Sequence, residues 1–180
     1  MEKIRVTQDY LYEYLTGHDI SIRQLALRMG QTGPAVNACF KHNNDKYGKP
    51  RYFSAKALPK LNAALEGMAG EMRQSMITFG SSEVYTNRGG TFDPACLPAV
   101  RSLTRFFNLT AFAWRVLGWN ETKKNTVLSA PSSKIYGHIT EEDVMRMNAE
   151  LMQVANTLAG MEVELDERSA SCSSSSSSSS

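Results

Sequence analysis

The chain has 180 residues, 42% of them hydrophobic and 21% charged, with a net charge of +2, which fits a soluble globular protein of one ordinary domain or two small ones. No stretch approaches the roughly 18 apolar residues of a membrane span, and the start, MEKIRVTQDY, lacks the apolar centre of a signal peptide. Cys39, Cys96 and Cys172 are odd in number and far apart, which excludes a disulfide framework and the paired spacing of a zinc site, so the expectation is a reduced, cytoplasmic protein with no metal, no cofactor and no membrane.

The small net charge hides an alternation. Residues 1–60 carry +5, residues 61–97 carry −2, residues 98–134 carry +5 and residues 135–180 carry −6. Two basic blocks each precede an acidic one, and that order is the first sign of a repeat.

TQDYLYEYL predicts a first helix, with Thr7 as its cap. SIRQLALRMG predicts a second, with Ser21 at the N-cap and Gln24 three residues on, where a capping-box partner belongs. Leu25, Ala26 and Met29 form its buried face, and Gly30 ends it as a left-handed cap. Thr32 then caps a third helix, whose first turn tolerates Pro34 because the missing N–H has no partner there. KHNNDKYGKPRYFS is polar and rich in turn residues, a loop or short hairpin. The last helix of the unit starts near Ser54. Its apolar residues Leu58, Leu61, Leu65, Met68 and Met72 step by 3, 4, 3 and 4, the stripe of an amphipathic helix lying on a core.

The same succession then recurs. LALRMG and AWRVLG end at glycines 88 residues apart, the pairs Tyr47-Gly48 and Tyr136-Gly137 lie 89 apart, and KLNAAL matches RMNAEL at 86. Val144, Met147, Leu151, Val154 and Leu158 repeat the 3, 4, 3, 4 steps, behind Thr140 in the place of Ser54. The second unit therefore reads as helices at Pro98–Phe107, Thr110–Leu117, Thr122–Leu128 and Glu141–Ala159. The expected architecture is all-α: two tandem units, 1–77 and 95–165, around a linker at 78–94 that contains the turn NRGG, with a short hairpin before the last helix of each. Residues 166–180 end in a serine run that buries nothing apolar, and are expected to be disordered.

The stretch from Leu25 to Cys39 resembles the helix-turn-helix of phage-repressor and related bacterial regulators. The residues that carry the likeness are Leu25, the small Ala26 at the helix crossing, Met29, Gly30 in the turn, Val36 buried between the helices, and Cys39. In the second unit Trp114 takes the place of Ala26 and Lys124 that of Val36, a departure from the pattern. The resemblance implies double-stranded DNA as partner, read in the major groove by the third helix of the first unit. Thr32, Gly33, Asn37, Ala38 and Lys41 would lie on its exposed face, with the Asn37 amide matched to adenine. Lys41, His42, Lys46, Lys49 and Arg51 would flank it at phosphates, Arg23 and Arg28 would touch the backbone from the second helix, and Lys123 and Lys124 are the counterparts in the second unit.

Enzyme chemistry finds little support. His18, His42 and His138 lie in or beside predicted loops, away from cysteine or carboxylate at ligand spacing. NRGG has neither the G-K-[ST] ending nor the preceding strand of a phosphate loop, and Glu141 and Glu142 suit the dipole of a helix start. The sequence thus reads as a non-enzymatic transcriptional regulator of bacterial or phage type. The other reading is a protein–protein adaptor or assembly module on the same scaffold, associating with a protein partner or with its own copies. Trp114, Lys124 and the low net charge point that way.

Overall fold

In the computed structural model, which describes residues 2–40, 52–79, 84–85, 91–92, 96–121 and 139–165, the chain starts with a short strand, β1 (Ile4–Val6), and α1 (Gln8–Gly17). Thr7 is extended and its hydroxyl accepts from the Tyr10 N–H, a cap worth about 1 kcal/mol. α2 (Ile22–Arg28) and α3 (Gly33–Phe40) follow, capped by Ser21 on Gln24 N and by Thr32 on Ala35 N. Between them Gly30 adopts φ +71°, and the Gln31 N–H closes the turn onto the Ala26 carbonyl at 2.9 Å. The capping box expected at Ser21 and Gln24 is half formed: the Ser21 hydroxyl accepts as predicted, but the Ser21 N–H donates to the Phe106 carbonyl at 2.9 Å.

α4 (Leu58–Gln74) starts one turn later than Ser54 suggests. The Ser54 hydroxyl caps the preceding turn through Ala57 N at 3.1 Å, and Pro59 then falls in the first turn of the helix. All five residues of its predicted stripe are buried. In the second half, α5 (Leu97–Arg101) tightens into a 3₁₀ turn (Ser102–Arg105), and α6 (Leu109–Phe112) widens into a π turn (Ala113–Leu117). α7 (Glu141–Ala159) has the bounds its sequence predicts, and Thr140 and Asp143 satisfy each other's backbone N–H groups there in a full capping box. Its stripe is buried too, and α4 packs along α7. Burial of each such Leu or Met contributes roughly 1.5–3 kcal/mol. One cluster of buried side chains runs through both halves of the chain.

The chain is mostly helical, with short strands at the outer ends of the two expected units and within the expected linker. β1 pairs in parallel with β4 (Met161–Val163), Ile4 opposite Met161 and Val6 opposite Val163. Within the expected linker, β2 (Val84–Tyr85) pairs antiparallel with β3 (Thr91–Phe92). Strands of two or three residues are too short to set up a period. The hairpins expected before α4 and α7, the helix at Thr122–Leu128 and the serine-rich tail lie outside the described residues. No helix among the described residues is long and apolar enough to cross a membrane.

Candidate nucleic-acid interface

Ala26 and Val36 are fully buried where α2 and α3 pack together, and Met29 is buried beside them. A small residue at position 26 permits that approach, and the left-handed Gly30 turns the chain sharply enough to bring α3 back across α2. The buried Gln8 fixes the far end of α3. Its amide donates to the Cys39 carbonyl at 2.8 Å and accepts from the Phe53 N–H at 3.1 Å. Phe40 stacks on Tyr12 and meets Phe53 edge-on.

This scaffold leaves the start of α3 open. Thr32, Pro34 and Ala35 are exposed, and Asn37 and Ala38 are half-buried. Gly33 lies over Arg23, where a Cβ would meet the Arg23 backbone at 3.5 Å, an ordinary contact. Asn37, Gly33, Pro34 and Arg23 line a groove that also takes in Thr16, Asp19, Ser21 and Asn108; Thr32, just before α3, and Ala38, within it, are not part of that lining. Lys41, His42, Lys46, Lys49, Arg51, Lys123 and Lys124 lie outside the described residues.

Arg28 does not face the groove. It ion-pairs with Glu71 at 2.6 Å, donates to the Gln24 carbonyl and lies over the Phe106 ring at 5.6 Å. Its side chain is 16% exposed, so its charge is spent inside the molecule, not at a phosphate beside the groove.

The second half borders the groove through a pair of reciprocal bonds. Ile20 and Phe107 form an isolated antiparallel bridge, with Ser21 N donating to Phe106 O at 2.9 Å and Asn108 N to Asp19 O at 2.7 Å. A shift of 87 residues takes Asp19 to Phe106 and Ser21 to Asn108, so it interchanges the two bonds. The same shift takes Arg28, which lies over Phe106, to Arg115, which ion-pairs with Asp19 at 2.7 Å and with Glu150 at 2.9 Å. Burial works against the Arg115 charge, but the hydrogen bonds to Asp19 and Glu150 outweigh it and hold the guanidinium above its ordinary value. Asp19 sits at φ +59°, a conformation that Asp tolerates better than most residues.

Asparagines make a second reciprocal pair. The Asn62 amide holds the Val163 backbone through both N–H and carbonyl, at 2.8 and 3.2 Å. Asn148 holds the Ile77 backbone in the same way, at 2.8 Å twice. Both the asparagines and their partners are 86 residues apart.

A shift of 87 residues sets Ala26 against Ala113 in place of Trp114. Counted from Ser21 and Asn108, the residue matching Ala26 is Ala113, and both are buried, at 0% and 1% exposure. Trp114 matches Leu27, and these are exposed at 63% and 60%. Beyond the π turn at Ala113–Leu117 comes Gly118, 88 residues after Gly30, with the same left-handed φ at +66°. Sequence reading missed Asp19, Asn62, Asn108, Arg115 and Asn148, although Asn62 and Asn148 stand at the same place in KLNAAL and RMNAEL. No protein-family model, curated protein or solved structure matches the chain.

Proposed function

We propose that the protein is a DNA-binding transcriptional regulator of bacterial or phage type, built from two duplicated helix-turn-helix units, which reads the major groove with α3. One observation carries the reading: α2 and α3 cross over the buried Ala26 and Val36 around a left-handed Gly30, and the N-terminal end of α3 stays open beside Arg23. A helix presented by its N-terminal residues is the docking geometry of helix-turn-helix proteins. Support for duplication comes from the asparagine bonds to Val163 and Ile77 that interchange under a shift of 86 residues. Electrostatics agree: the carboxylate lining the groove among the described residues, Asp19, is held by Arg115, and the α3 region belongs to a block of charge +5.

Two variants on cognate and random duplexes test the roles. Lys41→Ala removes a phosphate contact, so it weakens all duplexes alike and flattens the salt slope by about one. Asn37→Ala spares random DNA and costs about 1–3 kcal/mol on the cognate site. Equal losses on both duplexes from Asn37→Ala would refute its role in base readout. A protein–protein adaptor on the same scaffold is the alternative reading. It takes over if the protein binds no DNA.

A further inference from the structure

Three polar side chains that the fold leaves unused converge on the groove beside α3. Arg23 stands in the first turn of α2, Asn37 in the second turn of α3, and Asn108 just before α6. Among the described residues none of these three side chains has a hydrogen-bond or ion-pair partner. Gly33 and Asn37 lie one turn apart on the same side of α3, and Gly33 rests on Arg23, its Cβ position 3.5 Å from the Arg23 Cα. That side of α3 therefore faces α2, and a residue larger than alanine at position 33 would fill the space above the Arg23 stem. Ile20, Ile22 and Pro34 supply an apolar wall. The carboxylate in the lining, Asp19, is ion-paired with Arg115 at 2.7 Å, so the unpaired charge there is Arg23. The groove holds about 650 Å³, inside the range of roughly 300–1,000 Å³ for small-molecule clefts.

We infer that this groove binds a small organic carboxylate, with Arg23 as its counter-ion, the Asn37 and Asn108 amides as further donors, and its apolar body against Ile22 and Pro34. A guanidinium gives a carboxylate two parallel hydrogen bonds, a geometry that a point charge lacks. One unpaired arginine matches one negative charge, and each amide N–H₂ can donate to an oxygen that Arg23 leaves open. A few convergent polar groups beside an apolar wall are the usual make-up of a small-molecule cleft. An inorganic anion would leave the apolar wall uncovered, and a neutral molecule would leave Arg23 without a counter-charge. The inference goes beyond the DNA-binding reading and does not depend on it. That reading assigns Arg23 and Asn37 to DNA, so a bound carboxylate and a duplex exclude each other at α3.

Benzoate, a carboxylate on a flat apolar body, is the probe. The full ¹⁵N-labelled chain is titrated at constant ionic strength and followed by NMR. The side-chain amides of Asn37 and Asn108 and the Arg23 Nε–H should shift together and saturate, with a Kd of roughly millimolar order for so small a ligand. Arg23→Gln should raise Kd about tenfold or more, as loss of a charge-assisted bond does. Benzamide, which has the same shape without the charge, should bind at least about fivefold more weakly. Arg5→Gln removes an exposed arginine on β1, outside the groove, and should change Kd less than about twofold. The spectrum of each variant shows whether its fold is kept. Shifts that never saturate, a benzamide Kd equal to that of benzoate, or an unchanged Kd for a folded Arg23→Gln would overturn the inference. The titration contains no DNA, so its failure leaves the DNA-binding reading standing, and failure of that reading leaves this site standing.

Discussion

Replacement of Asn148 by alanine removes two hydrogen bonds, from Ile77 N–H to Oδ1 and from Nδ2 to the Ile77 carbonyl, each 2.8 Å long. Ile77 is 4% exposed, so the groups left behind have little access to water. Each bond contributes a net ~1 kcal/mol, and each backbone group stranded without a partner adds about 1–3 kcal/mol. Asn148 is only half-buried, so water reaches part of the vacated space and the sum falls to about 2–4 kcal/mol. At roughly 2–4 °C per kcal/mol for a chain of this size, the melting temperature drops by roughly 5–15 °C. Urea unfolding followed by circular dichroism, with m-values compared to the parent, measures the loss. Asn62→Ala should lose a comparable amount, because its amide does the same for Val163. Asn148→Asp should not rescue it: one carboxylate oxygen accepts from Ile77 N, but the other faces the Ile77 carbonyl with no proton to donate. Losses below about 0.5 kcal/mol for both alanine variants, the range of ordinary surface changes, would refute the argument.

Three further outcomes follow from the described geometry. Gly30→Ala should cost about 1 kcal/mol in urea unfolding through its φ of +71° alone, since open space surrounds the position of the added Cβ; Gly67→Ala, in the interior of α4 with the same open space, should instead stabilise by about 0.5–1 kcal/mol. Thr140→Val should lower stability by about 1 kcal/mol through loss of the capping box on α7, read from the same unfolding curves. Burial pushes the Tyr14 phenol above its ordinary value, with the Thr157 hydroxyl a smaller opposing influence. The stability this gives is full below the unfolded-state pKa of about 10 and is lost as pH rises through the folded value, so melts between pH 9 and about 11.5 should show a decline that Tyr14→Phe reduces.

The long periodic elements were legible in the sequence because a stripe stepping by 3 and 4 has few other solutions. α4 and α7 bury the side chains that the stripe selects, and Thr7, Ser21, Thr32 and Thr140 cap as hydroxyl residues before such stripes do. What stayed hidden depends on contacts distant in sequence. β1 and β4 pair across almost the whole chain in three residues each, and no local pattern announces such a pair. Ser21 N finds Phe106 instead of Gln24 for the same reason. The register of Trp114 has a different cause: the π turn at Ala113–Leu117 leaves the apolar spacing on either side almost intact, so shifts of 87 and 88 residues fit the sequence equally well. For the candidate interface, Asn37 and Arg23 were legible as the outer face of a helix pair, but the channel they share with Asn108 was not, since it exists only where the two halves meet.

The most direct test of the central claim is a salt titration of full-chain binding to random duplex DNA, by fluorescence anisotropy from about 50 to 200 mM salt. If α3 and the basic segments around it face DNA, log Kobs falls linearly with log salt, with a slope of about −0.9 for each phosphate neutralised. With several phosphate contacts, affinity then drops by at least tenfold across the range. Absence of binding at about 50 mM salt, or binding with no dependence on salt, would contradict the account.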